Sequence, residues 1–546
     1  MTTESTLPSS AGSSTDGATI TNPVLPGFHP DPSILRVGQE YYLATSTFEW
    51  YPGVTLHHSR DLVHWQSLGG VLDERRLLDL SGVPDSGGIW APCLSYAHGR
   101  FHLVFTRVDN YRGEWWDAQN YVTTATDITG PWSDPVPAHA RGFDASLHHD
   151  PDGTCWFLSV NGDWRPGRNF FGGIQAQQWD CAKGSLVGDV HLIYSGTDAG
   201  VTEGPHIYQR DGWYYLMTAE GGTVWNHQVT VARSRNLLGP YESDPAGPTL
   251  TSRNNPELPL QKAGHASLVE TPAGEWYLAH LVGRPHTTRG RCIMGRETAI
   301  QKITWTGDGW PRVADAVPHL TVPAPALPAA PFAPEPERDD FDGPRLGLRW
   351  ATLRRPAGDD WIDLTQPGRL RIRGGQSPRG KRTPSLVARR VTARHCSLET
   401  TVSFTPRSPH QFAGITAYYD THNWHYAYIT GDDTSRTLHV ETSDDGRRSE
   451  HPLAVTDLPA TGEIHLRVTV DGGRARFGYA LAADDWRDLD AVCDATILSD
   501  EYAGENPLEG RPAGPAFTGA FLGLWVHDLG ADGGYADFHH ATYRTH

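Results

Sequence analysis

Apolar residues in this chain fall into short runs, alternating or clustered, that Gly, Pro, Asp and Asn interrupt before a helical period is established. The stretch GFHPDPSILRVGQEYYLATS, Gly27 to Ser46, sets the pattern. It has an acidic residue, Asp31, at a Pro-bounded entry, then an apolar run (Ile34, Leu35, Val37), a Gly turn, and an aromatic strand from Tyr41 to Thr45. The pattern predicts a strand, a hairpin turn and a second strand.

The same order recurs in WAPCLSYAHGRFHLVF (Trp90 to Phe105), DASLHHDPDGTCWFLSV (Asp144 to Val160), EGPHIYQRDGWYYLMT (Glu203 to Thr218) and HASLVETPAGEWYLAH (His265 to His280). Spaced roughly 60 residues apart, the five copies have the period of propellers, solenoids or arrays. A second phrase, in HHSRDLVHW, TATDITGPW and ARSRNLLGPY, adds a strand and a turn. Each repeat then has room for the four strands of a propeller blade. Five separate domains are excluded, because about 60 residues of hairpins cannot bury a core alone. The reading is a five-bladed β-propeller over residues 19–320.

Thr321 to Asp340, TVPAPALPAAPFAPEPERDD, is dominated by Pro and Ala and predicts an extended linker over 321–338. Beyond it, over 339–546, strands such as LETTVSFTP, EIHLRVTVDGG and GAFLGLWVHD lack the repeat period and predict a jelly-roll-like β-sandwich. The expected fold class is therefore all-β. Residues 1–18, polar and rich in Ser and Thr, predict a disordered extension. They show no secretory signal, and no run is long and apolar enough to span a membrane, so a cytoplasmic location and no membrane partner are expected.

Charge and composition narrow the partners. With 64 acidic against 46 basic residues, net −18, nucleic acid and anionic membranes are excluded as main partners, and 19 tryptophans suit a neutral sugar. The six cysteines, Cys93, Cys155, Cys181, Cys292, Cys396 and Cys493, show no CxxC pair or finger spacing and read as buried free thiols.

If the copies superpose, their leads Asp31, Trp90, Asp144, Glu203 and His265 converge on the propeller axis. Carboxyl groups sharing one pocket meet the requirement for glycoside hydrolysis, in which one protonates the leaving oxygen and another activates water or attacks. Glu203, in VTEGPHIY, has little charge around it and suits the acid, while Asp31 suits an ionised base. Asp144 is left as a positioner that keeps Glu203 protonated by like-charge repulsion, and Arg296, in MGRETAIQ, is a partner for a carboxylate or a sugar hydroxyl. For single residues the plainer readings stay open. Trp90 suits blade packing as well as a pocket wall, and His265 suits a core position as well as a metal or substrate ligand. Phe48, Trp50, Trp164 and Trp225, all in turns, suit packing as well as stacking on sugar.

NPVLPGFHPDPSI, GGIWAPCLSY, GFDASLHHD, TEGPHIY, NNPELPLQKAGHASLVE and MGRETAIQ together resemble the motifs of the β-xylosidases and α-L-arabinofuranosidases of glycoside hydrolase family 43. The likeness covers nearly the whole chain, since two-domain members also carry a Pro-linked C-terminal sandwich opening on a DDFD-type sequence. It implies an inverting mechanism with Asp31 as base, Glu203 as acid and Asp144 as pKa modulator and orienter. Trp90, Phe48 and Arg296 are implied at the terminal sugar subsite, and His265 near a calcium ion, with no cofactor needed for the chemistry itself. By similarity Phe517, in AFTGAFLGLW, lies near the second sugar on a sandwich loop that closes a short blind pocket. The expected activity is exo-hydrolysis of β-1,4-linked xylo-oligosaccharides with side activity on arabinose-substituted ones, by a homo-oligomer of the kind common in the family. The alternatives are a primary α-L-arabinofuranosidase and a non-catalytic sugar-binding protein.

Overall fold

In the computed structural model, which describes residues 18–111, 115–432, 434–449, 452–505 and 515–546, each sequence repeat folds as one antiparallel meander. Residues 1–17 lie outside the described residues, and with them nearly all of the expected disordered extension. Blade I comprises Ser33–Val37, Glu40–Thr45, Gly53–Ser59 and Gln66–Leu72. Blade II comprises Gly88–Ala97, Arg100–Asn110, Asp117–Ala125 and Val136–Pro137. Blade III runs through Ser146–His149, Cys155–Gly162, Phe171–Asp180 and Ser185–Tyr194. Blade IV runs through Glu203–Arg210, Trp213–Glu220, Gln228–Ser234 and Glu242–Ser243, with Leu250–Thr251 as an added edge. Blade V is Gln261–Glu270, Trp276–Gly283, Arg296–Trp305 and Pro311–Arg312. The innermost strand of every blade is the one that opens the repeat.

The turn chemistry follows from the sequence. In blade IV the two-residue turn Asp211-Gly212 takes φ of 51° and 73°, the pair of positive values that a tight hairpin matched to strand twist requires. The ring closes where Thr19–Thr21 pairs antiparallel with Thr321–Pro323. Buried Ile20 and Val322 pack there against Tyr41, Leu43, Tyr277 and Ile300 of blades I and V. Asn22 reinforces the closure: its Nδ2 donates to the Ile300 and His319 carbonyls at 2.7 and 2.9 Å, and its Oδ1 accepts from Ile300 N at 2.8 Å. The Pro/Ala stretch is therefore tethered at its start, and further on Ala326 N and Ala330 N donate to Glu275 of blade V and Asp61 of blade I.

Two stacked antiparallel sheets form the C-terminal sandwich. Their strands alternate as a pleated sheet must. In Phe521–Asp528, Leu522, Leu524 and Val526 enter the sandwich core beside Ile415 and Val440, while Phe521 and Trp525 point the other way. That second face packs on the propeller, so all eight residues of the strand are buried.

The two units are joined by backbone pairing as well as packing. Trp50–Tyr51, in the loop between the second and third strands of blade I, pairs with Ala351–Leu353 and forms the edge of a sandwich sheet. Trp50 stacks on Phe521 with ring centroids 3.8 Å apart and meets Tyr418 edge-on, fully buried. It is an interdomain core residue and not a sugar platform. Beside it, fully buried Arg354 donates through Nη2 to Asp85 Oδ1 at 2.7 Å and through Nε to the Val83 carbonyl. Burial alone would raise the Asp85 pKa, but Arg354, His422 and Lys381 hold it well below the ordinary carboxylate range.

Candidate active site

At one end of the propeller axis the inner strands lose their regular backbone. Asp31, Asp144 and His265 have positive φ (54°, 53° and 41°), and Gly204, just after Glu203, has φ of 58°. Hairpin register slips between Trp90 and Cys93, Glu203 and His206, and Gly264 and Ala266. Bulges of this kind re-aim side chains, and left-handed backbone at a non-Gly residue concentrates at functional positions. Here they turn the five leads inward.

All five leads line one pocket, together with Phe48, Ala91, Phe143, Thr223, Arg296 and Phe517. Its unfilled space, counted together with the part open to solvent, is about 360 Å³. The walls are aromatic: Phe48 and Phe517 stack at 5.8 Å, and Trp90 meets Phe517 and Phe143 edge-on at 5.3 and 5.2 Å. Trp90 is fixed by its Nε1 donating to the Ser86 carbonyl at 3.0 Å, while Ser86 Oγ accepts from Phe517 N at 3.0 Å.

The floor is charged. Asp31 accepts from Ser46 Oγ at 2.6 Å and from Arg296 Nη1 at 3.2 Å. Burial would raise its pKa, but Arg296, His265 and Ser46 together hold it below the ordinary value. Glu203, deep among protein atoms with one side open to the pocket, moves the other way: burial and the nearby Asp31 charge push it up to about 8 against the pull of Arg296. Asp144 is raised well above its ordinary value by burial, Glu203 and Asp31. Asp144 and Glu203 thus hold protons as a pair above the carboxylate range, while Asp31 stays ionised. The charge that raises Glu203 is that of Asp31, and Asp144 is itself pushed up by Glu203, the reverse of the expected order.

Arg296 is the hub. Besides Asp31 it donates to Thr223 Oγ1 at 3.2 Å and, through Nε and Nη2, to the Phe517 carbonyl at 3.2 and 2.8 Å. Buried Asp500 of the sandwich stands 3.9 Å from its Nε. His265 places Nδ1 3.8 Å from Asp31 Oδ1 and 3.9 Å from Asp144 Oδ2, and burial lowers its pKa, so the ring is neutral. A calcium ion takes about six to eight oxygen ligands. The side chains around His265 offer this nitrogen and two carboxyl groups already committed to the pocket floor, so waters or backbone oxygens would have to supply the remaining ligands. Among the described residues, the clusters of three or more metal-binding side chains lie elsewhere.

Of the turn aromatics, Phe48 reaches the pocket and Trp50 does not. Trp164 stacks on Trp115 at 5.5 Å, outside the pocket lining, and Trp225 lies under the Lys262 ammonium. Sequence reasoning missed Phe143, Thr223, Ser46 and Asp500. Phe143 directly precedes a lead residue and could have been found by that position, whereas Thr223 and Asp500 sit in stretches with no repeat.

Comparisons with known proteins agree with this architecture. Residues 20–311 match the family described as Glycosyl hydrolases family 43, and residues 338–544 match the Beta xylosidase C-terminal Concanavalin A-like domain. The chain is 44% identical to xylosidase/arabinosidase 43B of Humicola insolens, over 96% of this chain and 97% of that one. It is 43% identical to a β-xylosidase of Bacillus subtilis, over 96% and 99%. The crystal structure of a xylan β-1,4-xylosidase from Bacillus halodurans C-125 superposes with a TM-score of 0.92 at 45% identity, covering 96% of this chain and all of that one. The match over residues 20–311, with relatives above 40% identity along nearly the whole chain, places this propeller and its sandwich in glycoside hydrolase family 43.

Proposed function

We propose that the chain is an exo-acting β-xylosidase that releases xylose from the non-reducing end of β-1,4-linked xylo-oligosaccharides by inverting single displacement, with side activity on α-L-arabinofuranosides. One observation carries this reading: three carboxyl groups in unlike protonation states share a pocket that a sandwich residue, Phe517, walls. A carboxyl that keeps its proton to about pH 8 suits the general acid, and a buried carboxylate held ionised suits the base that activates water. We assign these roles to Glu203 and Asp31. Asp144 shares the proton of Glu203 and orients it, and neutral His265 stands between the Asp31 carboxylate and the Asp144 carboxyl.

Trp90, Phe48 and Phe517 offer apolar walls to one sugar ring, and Arg296, its guanidinium over the Phe48 and Phe517 rings, borders the same pocket. The chemistry rests on carboxyl groups and needs no cofactor. The names of the relatives favour xylosides as substrate, and that of the Humicola protein adds arabinosides.

Proton NMR of the first sugar released from an aryl β-xyloside tests the mechanism. The α-anomer is expected, and initial β-xylose would refute inversion. Rates on xylobiose, aryl β-xyloside and aryl α-arabinofuranoside, compared side by side, test the substrate. Preference for the arabinofuranoside would reverse the ranking of the two activities.

A further inference from the structure

The inner strand of blade III, Ser146–His149, runs away from the carboxylate pocket, and its far end brings together residues that the sequence scatters. His149 sits directly opposite Cys155 on the next strand. Cys181 follows the third strand, Phe171–Asp180, in a turn that the Asp180 carboxylate shapes by accepting from Ala182 N and Lys183 N. One potential ligand atom each of His149, Cys155 and Cys181 lies within 4.8 Å of the others. Zinc–sulfur bonds of about 2.3 Å and zinc–nitrogen bonds of about 2.0–2.1 Å put tetrahedral ligands nearly this close together.

Two further observations point to a ligand. His149 Nε2 lies 3.0 Å from Ser95 Oγ of blade II, while its Nδ1 is buried without a hydrogen-bond partner. An imidazole held through one nitrogen with the other left free is the arrangement of a metal-ligating histidine. His102 of blade II packs beside it with ring centroids 4.9 Å apart, only 5% exposed, and neither of its nitrogens has a hydrogen-bond partner. The other dense cluster, Asp85, Asp420 and His422, differs, because Asp85 is already engaged by Arg354, Lys381 and Thr421.

We propose that Cys155, Cys181 and His149 bind one soft divalent cation of the zinc class between blades II and III, and that His102, which packs on His149 but stands outside that close set, turns in as the fourth ligand. The two thiols give up their protons on binding. Two thiolates and two imidazoles make a closed tetrahedral set with no position left for substrate, so the cation would stabilise the propeller and take no part in hydrolysis. His149 lies five residues along the chain from Asp144, about 16 Å at strand rise, so the site and the active site are separate. A Cys155–Cys181 disulfide is the competing use of the same thiols, but it would leave both imidazoles unexplained.

Untagged full-length chain, reduced and stripped of metal, is titrated with Co²⁺ as an optical probe. One equivalent should produce a thiolate-to-cobalt charge-transfer band that Zn²⁺ abolishes, and bound Zn²⁺ should raise Tm. Cys181→Ser, at an exposed position, should remove the band while leaving xyloside hydrolysis unchanged. Ser95→Ala should weaken Zn²⁺ binding about 10- to 100-fold. No band at one equivalent, or a band that persists in Cys181→Ser, overturns the proposal. Recovery of a Cys155–Cys181 disulfide whose reduction yields no cobalt band also overturns it.

Discussion

The Phe517 carbonyl accepts from both Nε and Nη2 of Arg296, so a backbone atom of the sandwich holds the guanidinium that in turn holds Asp31 of the propeller. The terminal-sugar pocket is therefore built from both units.

Gly295, next to Arg296, is what lets the sandwich segment come this close. At its φ of 68° a Cβ would stand 2.3 Å from Thr518 O and 2.7 Å from Gly519 Cα. Gly295→Ala should displace Phe517 and lower kcat/KM on xylobiose about 100-fold, the scale of an ångström-sized misplacement. Gly38→Ala, at a φ of 65° with open space around it, carries similar backbone strain without the clash and should stay near wild-type activity.

Removal of the Arg296 charge unbalances Asp31. Burial raises the Asp31 pKa and Arg296 is the chief opposing influence, so in Arg296→Gln the acid limb of the kcat/KM profile should move to higher pH. Loss of one partner of a buried hydrogen-bonded charge pair costs about 2–5 kcal/mol. The activity loss at the optimum should be roughly 30-fold or more on the same scale. An acid limb that stays in place would separate Arg296 from the base.

Glu203 matters only as far as the leaving group needs a proton. With xylobiose the departing oxygen is a sugar alkoxide, and Glu203→Ala should lose about 10²- to 10⁴-fold. With a nitrophenyl xyloside the loss should be clearly smaller, whereas Asp31→Ala should damage both substrates alike. Equal losses for Glu203→Ala in a folded protein would sink the acid assignment.

On the alkaline side, kcat for xylobiose should fall as the Glu203–Asp144 pair gives up its proton near pH 8. With nitrophenyl xyloside this limb should be shallower. A xylobiose profile flat to pH 9 would contradict the proton-holding role.

The same shift has a consequence for stability. Glu203 titrates about 8 when folded against an ordinary 4.5, so between these values the folded state binds more protons than the unfolded one. Stability therefore falls as pH rises through that window. Glu203→Gln stays neutral and escapes the loss. Its Tm advantage over the wild type should be small at pH 5 and grow by pH 8.5, as calorimetry would show.

The propeller and its five axial residues were legible because repetition is a within-chain signal: each blade writes its own strand, turn and lead residue. Contacts between distant segments leave no such trace. Trp50 and Phe48, two residues apart in one loop, look alike in sequence, yet one pairs with a strand some 300 residues later and the other faces the pocket. The cysteines were expected to be buried, and Cys181 is exposed at a turn beside Cys155. Their proximity depends on the hairpin register of blade III, which spacing alone does not disclose. Phe517 was placed by family likeness, and the carbonyl that binds Arg296 is an atom every residue has, so no residue type could have announced it.

The shared sheet edge between Trp50–Tyr51 and Ala351–Leu353 bears on how the protein comes off the ribosome. Blade I is synthesised first, but its loop has no strand partner until residue 353 has emerged, and Trp50 has no stacking partner until Phe521 follows. The nascent propeller must therefore wait, with an apolar indole unpaired, for nearly the whole chain to be made. The pocket gains its Phe517 wall only once the sandwich has been made, so a chain cut before residue 517 lacks that wall.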